Sequence, residues 1–429
     1  MKRSQREAAL RGSTHLLRLS LPAVRSNGSF EGADILGESG AGPAAVLYQV
    51  YRSVMAWALT PAAEHSGLFA PGAGDETRHR VAEAEVPREL VPALETVCEL
   101  LDDPAGADPG RISEACLRIG EWADSRGDTP ATALRFLQAA ATCSPNDARV
   151  AYRAGCAARR RAVWDVAELW FRHASAVSRR KRDWEAHATA YAGLGNSYYR
   201  QGRYLPAERE HLKALRIARR HGLRDLQGGA YHDLFAVTAG LGNVAKAEEY
   251  GRSAFRAYGS DHKAIPALAH DLGYFWITQG EHQRALPVFQ ALRPHFRDAE
   301  TRMRVLATLV HAAGGAREAA VFREAWTEAW DLTSKLEEST ALTTSLLEMA
   351  YGAVKLSEWD LAHSAAVRAL GRAGARGEID VIVPAEQVLS SICTLRGQVQ
   401  SPASPTRVSE ADEFAADLVS SLVASTATV

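Results

Sequence analysis

Apolar residues recur at intervals of three and four along most of this chain, the spacing of amphipathic helices. The pattern is clearest from Trp184 to Gly259, whose core, AYAGLGNSYYRQGRYLPAEREHLKALRIARRHG, reads as helix, tight turn, helix. Forty residues later it returns as AYHDLFAVTAGLGNVAKAEEYGRSAFRAYG. Leu194 matches Leu234, Gly202 matches Gly242, Ala207 matches Ala247 and Ala214 matches Ala254. Self-similarity at a fixed period is the signature of stacked repeats, each too small to bury its own apolar face.

The unit can be laid out seven times from Arg111, anchored on a small residue early in each second helix. The anchors are Ala133, Ala167, Ala207, Ala247, Ala285, Ala320 and Ala362, spaced 34, 40, 40, 38, 35 and 42 residues apart. A small anchor lets two helices approach closely, where a bulky residue would overpack the contact. A turn residue precedes each one: Gly127, Ala162, Gly202, Gly242, Gly280, Gly315 and Ser357. Glycine there suits the left-handed backbone that ends a helix.

The flanks are less regular. Residues 1–25 read as a basic helix closed by Pro22, and 26–42 as a Gly/Ser loop. GESGAG in that loop has neither a preceding strand nor a following Gly-Lys-Ser/Thr, so it lacks the context of a phosphate loop. Pro43 fits the first position of a helix carrying Val46, Val50, Val54 and Trp57. A loop and a helix over about 87–101 complete an N-terminal helical cap or accessory region, 1–110. Repeats fill 111–376, a capping helix 377–396 covers the last apolar face, and 397–429 reads as a flexible tail in which Phe414, Leu418 and Leu422 could share a short helix.

The best copy runs Tyr191, Leu194, Gly195, Tyr198, Gly202, Tyr204, Ala207, Ala214, and the fifth runs Leu272, Gly273, Trp276, Gly280, Ala285, Phe289. In this order of large, small and aromatic residues the chain resembles the tetratricopeptide repeat, in a long-period bacterial form. The extra residues, such as RIARRHGLRD, extend the second helix and its turn. The resemblance implies an all-α, right-handed α-solenoid of helix-turn-helix repeats behind an N-terminal helical region. It also implies first helices lining a concave groove that binds peptides or proteins.

Composition narrows this further. Only seven of the fifty basic residues are lysine, and five cysteines form no C-x-x-C pair. This suits a GC-rich bacterial genome and a reducing cytoplasm with buried thiols. No apolar run is long enough to cross a membrane. The motifs of zinc hydrolases, serine esterases, nucleotide-binding loops and kinases are missing, so nothing argues for an enzyme or a cofactor. The tryptophans from Trp164 to Trp359 fall beside the anchors, as inter-repeat packing would place them.

Charge is uneven. Eighteen Arg and Lys stand against six Asp and Glu between Arg149 and Arg224, within a chain of net charge −1. Arg159–Arg160–Arg161 and Arg179–Arg180–Lys181–Arg182 dominate. These clusters are either solvated helix ends, favoured by the helix dipole, or a field for acidic protein segments; nucleic acid lacks a supporting motif.

The tetratricopeptide register sends Arg149, Tyr152, Cys156 and Arg159 into the groove, with Arg160 beside them. Asn196 and Tyr199 follow, then His232, then His270 and Tyr274. Asn196 resembles the asparagine with which chaperone-binding members hold a carboxylate, but Ala192 stands where their lysine would be. His232-Asp233 and His270-Asp271 occupy matching places, as partly buried, hydrogen-bonded pairs rather than metal ligands. The expected function is a scaffold that binds a protein or peptide, acidic in character. The alternative is a peptide-sensing regulator of bacterial signalling or transcription.

Overall fold

A computed structural model describes residues 32–38, 41–336, 339, 341–395 and 412–426. The basic helix expected over 1–25 lies outside them. Every regular element among the described residues is helical, consecutive helices pack against each other, and no helix is long and apolar enough to cross a membrane. The chain forms two compact units, Met1–Asp233 and Leu234–Val429, which divide inside the helix Arg224–Gly240.

The repeats take their shape from one turn used again and again. In the third repeat the first helix, Trp184–Arg200, ends at Gly202 with φ +70°. The Arg203 amide then donates to the Tyr198 carbonyl at 2.9 Å and the Gly202 amide to that of Tyr199 at 2.9 Å. This paired closure satisfies carbonyls that a helix end leaves open. The same pair of bonds closes the turns at Ala162, Gly242, Gly280, Arg317 and Ser357, all with positive φ. It also closes the turns between repeats at Arg182 and Gly222. The long period therefore comes from helices such as Tyr204–Arg220, of 17 residues, joined by short turns.

The N-terminal unit holds the first three repeats. Their first helices are Pro109–Arg126, Ala148–Arg160 and Trp184–Arg200; their second helices are Pro130–Cys143, Trp164–Lys181 and Tyr204–Arg220. Asp108, Asp147 and Asp183 cap the first helices through the amides of Arg111, Arg149 and Ala186, at 3.0, 2.8 and 3.0 Å. Ala133, Ala167 and Ala207 are buried. Four residues beyond each stands a larger side chain facing a glycine. A Cβ on Gly120, Gly155 or Gly195 would come within 2.7 Å of Leu137, 2.9 Å of Phe171 or 2.6 Å of His211.

Ahead of these repeats stand Ala41–Leu59, Ala73–Glu83 and Val91–Asp102. The first begins two residues before Pro43, which is tolerated in an opening turn because no helical amide bond is due there. Ala73–Glu83 falls where a loop was expected. It has little apolar surface and is held by Arg78, which pairs with Asp75, Glu95 and Asp102 at 2.8, 2.7 and 2.8 Å. The loop expected over 26–42 contains a 3-10 turn, Ala33–Gly37. Glu38, from the GESGAG run, accepts from the amides of Ala131 and Thr132 and so caps the helix Pro130–Cys143. That run supplies a carboxylate to a helix N-terminus, the opposite of cradling a phosphate.

The C-terminal unit continues with first helices Ile265–Thr278, Ala299–Ala316 and Ala341–Lys355 and second helices Val244–Tyr258, His282–Leu292, Ala319–Leu332 and Trp359–Arg376. Ala247, Ala285 and Ala362 are buried anchors, but Ala320 is exposed and Phe322 fills its place at 0% exposure. The expected turn at Gly315 lies inside the helix Ala299–Ala316, and the left-handed residue is Arg317. Gly314 and Gly352 are packing residues. A Cβ on Gly314 would lie 2.1 Å from the Gly352 carbonyl, and one on Gly352 would lie 2.4 Å from that of Val310.

Ile379–Leu395 follows the last repeat, and Asp412–Thr426, within the segment read as a flexible tail, is also helical. Phe414, Leu418 and Leu422 are buried, which gives that segment an apolar face worth docking. The Phe414 ring lies 5.8 Å from Phe255 and 6.0 Å from Trp276, with the Arg252 guanidinium 4.7 Å over it. His295 Nε2 lies 2.9 Å from the Leu422 carbonyl.

Among the described residues the cysteines are unpaired; Cys98, Cys116, Cys143 and Cys156 are buried and Cys393 is exposed. Of the seven tryptophans assigned to packing, Trp170, Trp276 and Trp326 are buried, while Trp164, Trp184, Trp330 and Trp359 remain half-exposed.

Candidate functional site

The arginines of the helix Ala148–Arg160 separate by face. Arg149, Arg153 and Arg160 form one stripe and pair with Glu114, Glu121 and Asp124 of the preceding helix, Pro109–Arg126; the Arg149 pair spans 3.5 Å. Arg161 pairs with Asp34 at 3.1 Å. Arg149 and Arg160 thus sit on an ion-paired, exposed edge, while Arg159 turns with Tyr152 towards the neighbouring first helices. The Tyr152 ring lies 5.4 Å from Phe171, and the Arg159 guanidinium lies 5.9 Å from that same ring.

These side chains meet at Asp233. Asn196 lies beside its carboxylate and favours the charged form, and Arg159, His232 and His211 bring positive or protonatable groups near it. Burial still outweighs these neighbours and raises the Asp233 pKa above the usual carboxylate value. Burial, then the adjoining Cys156, also raises the Tyr152 phenol. Below the surface His211 is fully buried, with Nδ1 3.3 Å from Asp233 Oδ2 but not aligned for a hydrogen bond. Desolvation lowers the His211 pKa, so the ring is neutral near pH 7. Tyr199 is 37% exposed, with its ring 5.7 Å from Tyr204.

In the N-terminal unit the structure therefore brings together Tyr152, Arg159, Asn196 and His232. Asp233, which joins them, had been read only as half of a repeated His-Asp pair. A wall expected to carry aromatic, amide and basic groups also has a carboxylate among them.

The C-terminal unit has a comparable arrangement around Glu348. Tyr274 donates to Glu348 Oε1 at 3.1 Å, and His311 Nδ1 lies 2.6 Å from Oε2. The His311 ring packs 5.5 Å from Tyr351 and 5.6 Å from His282. His282 is buried with Nδ1 unpartnered, and burial, then His311 and Lys355, push its pKa down to about 4. His270 lies 3.2 Å from the Asp271 carboxylate with its ring 5.7 Å from Phe289, apart from the Glu348 group. Sequence reasoning missed His282, His311, Glu348 and Tyr351. The misplaced sixth anchor hides the match of Tyr274 with His311 and Tyr351, each of which stands at the same distance before its left-handed turn residue, Gly280, Arg317 or Ser357. Among the described residues no group of three His, Cys, Asp or Glu is placed to hold a metal ion.

No protein-family model and no curated protein matches the chain. Among solved structures it is similar to the apo form of RapI, at 12% identity over 81% of this chain and 98% of that one, with a TM-score of 0.49. It is similar also to the APC/C hetero-tetramer Cut9–Hcn1, at 16% identity over 89% and 66%, with a TM-score of 0.47. A third is BtubC from P. vanneervenii, at 17% identity over 54% and 92%, with a TM-score of 0.42. The repeats themselves, helical hairpins with a recurrent left-handed turn and a buried residue four places into nearly every second helix, are of the tetratricopeptide type.

Proposed function

We propose that this chain is a non-enzymatic scaffold whose N-terminal repeats bind a peptide segment of another protein along their first helices. One observation supports this above the rest: Asn196, Asp233 and Arg159 form a polar cluster beside the half-exposed Tyr152, where a merely structural wall would be apolar or fully ion-paired. An amide and a carboxylate together can accept and donate to a peptide backbone. Arg159 then reads an acidic side chain, and Tyr152 supplies a flat contact of low entropy cost. The acidic preference rests on Arg159, because Arg149 and Arg160 already have partners.

Selection of displayed random peptides on the full chain, followed by anisotropy with the recovered peptide, tests the reading. Arg159→Glu and Asn196→Ala should each weaken binding roughly tenfold or more, the worth of one charge-assisted contact. Undiminished affinity in both variants would remove this wall as the site.

A further inference from the structure

The second basic cluster, Arg179–Arg180–Lys181–Arg182, plays no part in the peptide wall. Arg180 bonds to Asn146 at 2.5 Å. Arg179 instead lines a cavity of about 360 Å³ with Arg216 and Arg220, and no carboxylate lines it. The three arginines come from two helices. Arg179 is in the last turn of Trp164–Lys181, and Arg216 and Arg220 are one turn apart on the same face of Tyr204–Arg220. All three are exposed, and among the described residues none of their guanidinium groups makes an ion pair or hydrogen bond. That sets them apart from Arg153, Arg160 and Arg161, each of which has its acid.

The rest of the cavity is built by Trp184, His187 and His221 around Ile217. Trp184 and His187 share a face of the first turn of Trp184–Arg200. The Trp184 ring stacks on His221 at 4.6 Å and 10°, fixing one wall. His187 is only 6% exposed; its Nδ1 lies 3.2 Å from Ser175 Oγ, and its other ring nitrogen has no partner among the described residues. Burial, set against the Ser175 contact, lowers the His187 pKa, so the neutral ring has one nitrogen left for a ligand.

Helix-dipole compensation explains basic residues in a last turn. It does not explain why guanidinium groups of two helices converge unpaired on one cavity above a buried imidazole. Like charges held close repel unless an anion lies between them, and the forked guanidinium matches phosphoryl oxygens in pairs.

We propose that this cavity is a phosphoryl-binding pocket, in which Arg179, Arg216 and Arg220 hold the oxyanion, His187 adds a contact from the floor, and the Trp184–His221 stack borders the group that carries it. The phosphoryl group could belong to a phosphorylated side chain of a protein or to a nucleotide; both offer the same dianion. The site is separate from the peptide wall, and either reading can stand without the other.

Calorimetric titration of the full chain with inorganic phosphate, a phosphoserine peptide and adenosine monophosphate tests it. Saturable binding is expected, weakened roughly tenfold or more by Arg216→Ala or Arg220→Ala. Arg219→Ala, on the same helix but outside the cavity, should leave it unchanged. Tighter binding of the peptide assigns the phosphoryl group to a protein, and tighter binding of the monophosphate assigns it to a nucleotide. No saturable binding of any of the three probes, or equal loss with Arg219→Ala, overturns the proposal.

Discussion

His211, in the third repeat, occupies the place that Phe171 and Phe289 hold in the second and fifth, four residues past the anchor, and its Nδ1 lies 3.3 Å from Oδ2 of Asp233. A polar ring has replaced an apolar one beneath the peptide wall, and neither of its nitrogens makes a hydrogen bond. Buried polar atoms without partners are costly. His211→Phe should therefore stabilise the fold by roughly 1–3 kcal/mol, measured by chemical denaturation at pH 7.5. Because it also removes a neighbour of Asp233, the same variant should alter peptide affinity. A drop in stability would mean that the ring is engaged in a way these contacts do not reveal.

The pH response follows from the direction of the shifts. His173, His187, His211 and His282 all have pKa values lowered from 6.5, chiefly by burial. The unfolded chain takes up protons first, so their contribution is complete above pH 6.5 and is lost as pH falls through the folded values. Asp233 is shifted upward, so its contribution favours the fold below pH 3.8 and fades as pH rises through its folded value. Thermal midpoints should fall steadily from pH 7 to 5. In His282→Phe the loss between 6.5 and about 4 should be shallower. An unchanged slope would show that His282 is not protonated over that interval.

Gly195→Leu places a side chain where even a Cβ would lie 2.6 Å from the His211 ring. Overpacking at such a crossing costs about 1–3 kcal/mol. The measurement is the urea midpoint, and an unaltered value would contradict the helix register.

The two adjacent arginines should respond differently. Arg160→Glu sets a carboxylate against Asp124, so a loss of a few tenths of a kcal/mol is expected, about the size of an exposed pair, with peptide binding retained. Arg159→Glu should do the reverse, leaving the midpoint in place while weakening the selected peptide. Equal effects of both on binding would return the recognition to overall charge.

Phe414→Ala should loosen the helix Asp412–Thr426 before it affects the repeats. Hydrogen exchange should lose protection over 412–426 and gain solvent access around Phe255 and Trp276. Retained protection would show that Leu418 and Leu422 suffice to dock it.

Helical periodicity made the hairpins readable because repeats repeat their chemistry. Six of the seven anchors and six of the seven turn residues fall where spacing placed them. The sixth repeat misled because glycine has two uses: Gly315 reads as a turn, yet it packs against His282, where a Cβ would come within 2.2 Å. Phe322 sits where every other repeat has alanine, so no small residue marked the place. Ala73–Glu83 escaped because ion pairs, rather than an apolar stripe, hold it. The candidate site was half legible. Single residues on a known face could be named, but Asp233 and Glu348 gain their meaning from partners about 37 and 74 positions away, and periodicity carries no information about such pairings.

The docked helix at the end of the chain bears on the order in which the protein is made. Ser421 Oγ bonds to the Ser260 carbonyl, 161 residues earlier, and Phe414 covers Trp276. At a synthesis rate of about 5–20 residues per second, the fourth and fifth repeats emerge on the order of ten seconds before the segment that covers them. Through that interval the Phe255–Trp276 face stands open to chaperones or to sticking. The first-made part of the C-terminal unit is therefore among the last to be completed, and its completion waits on the ribosome as well as on the search for the fold.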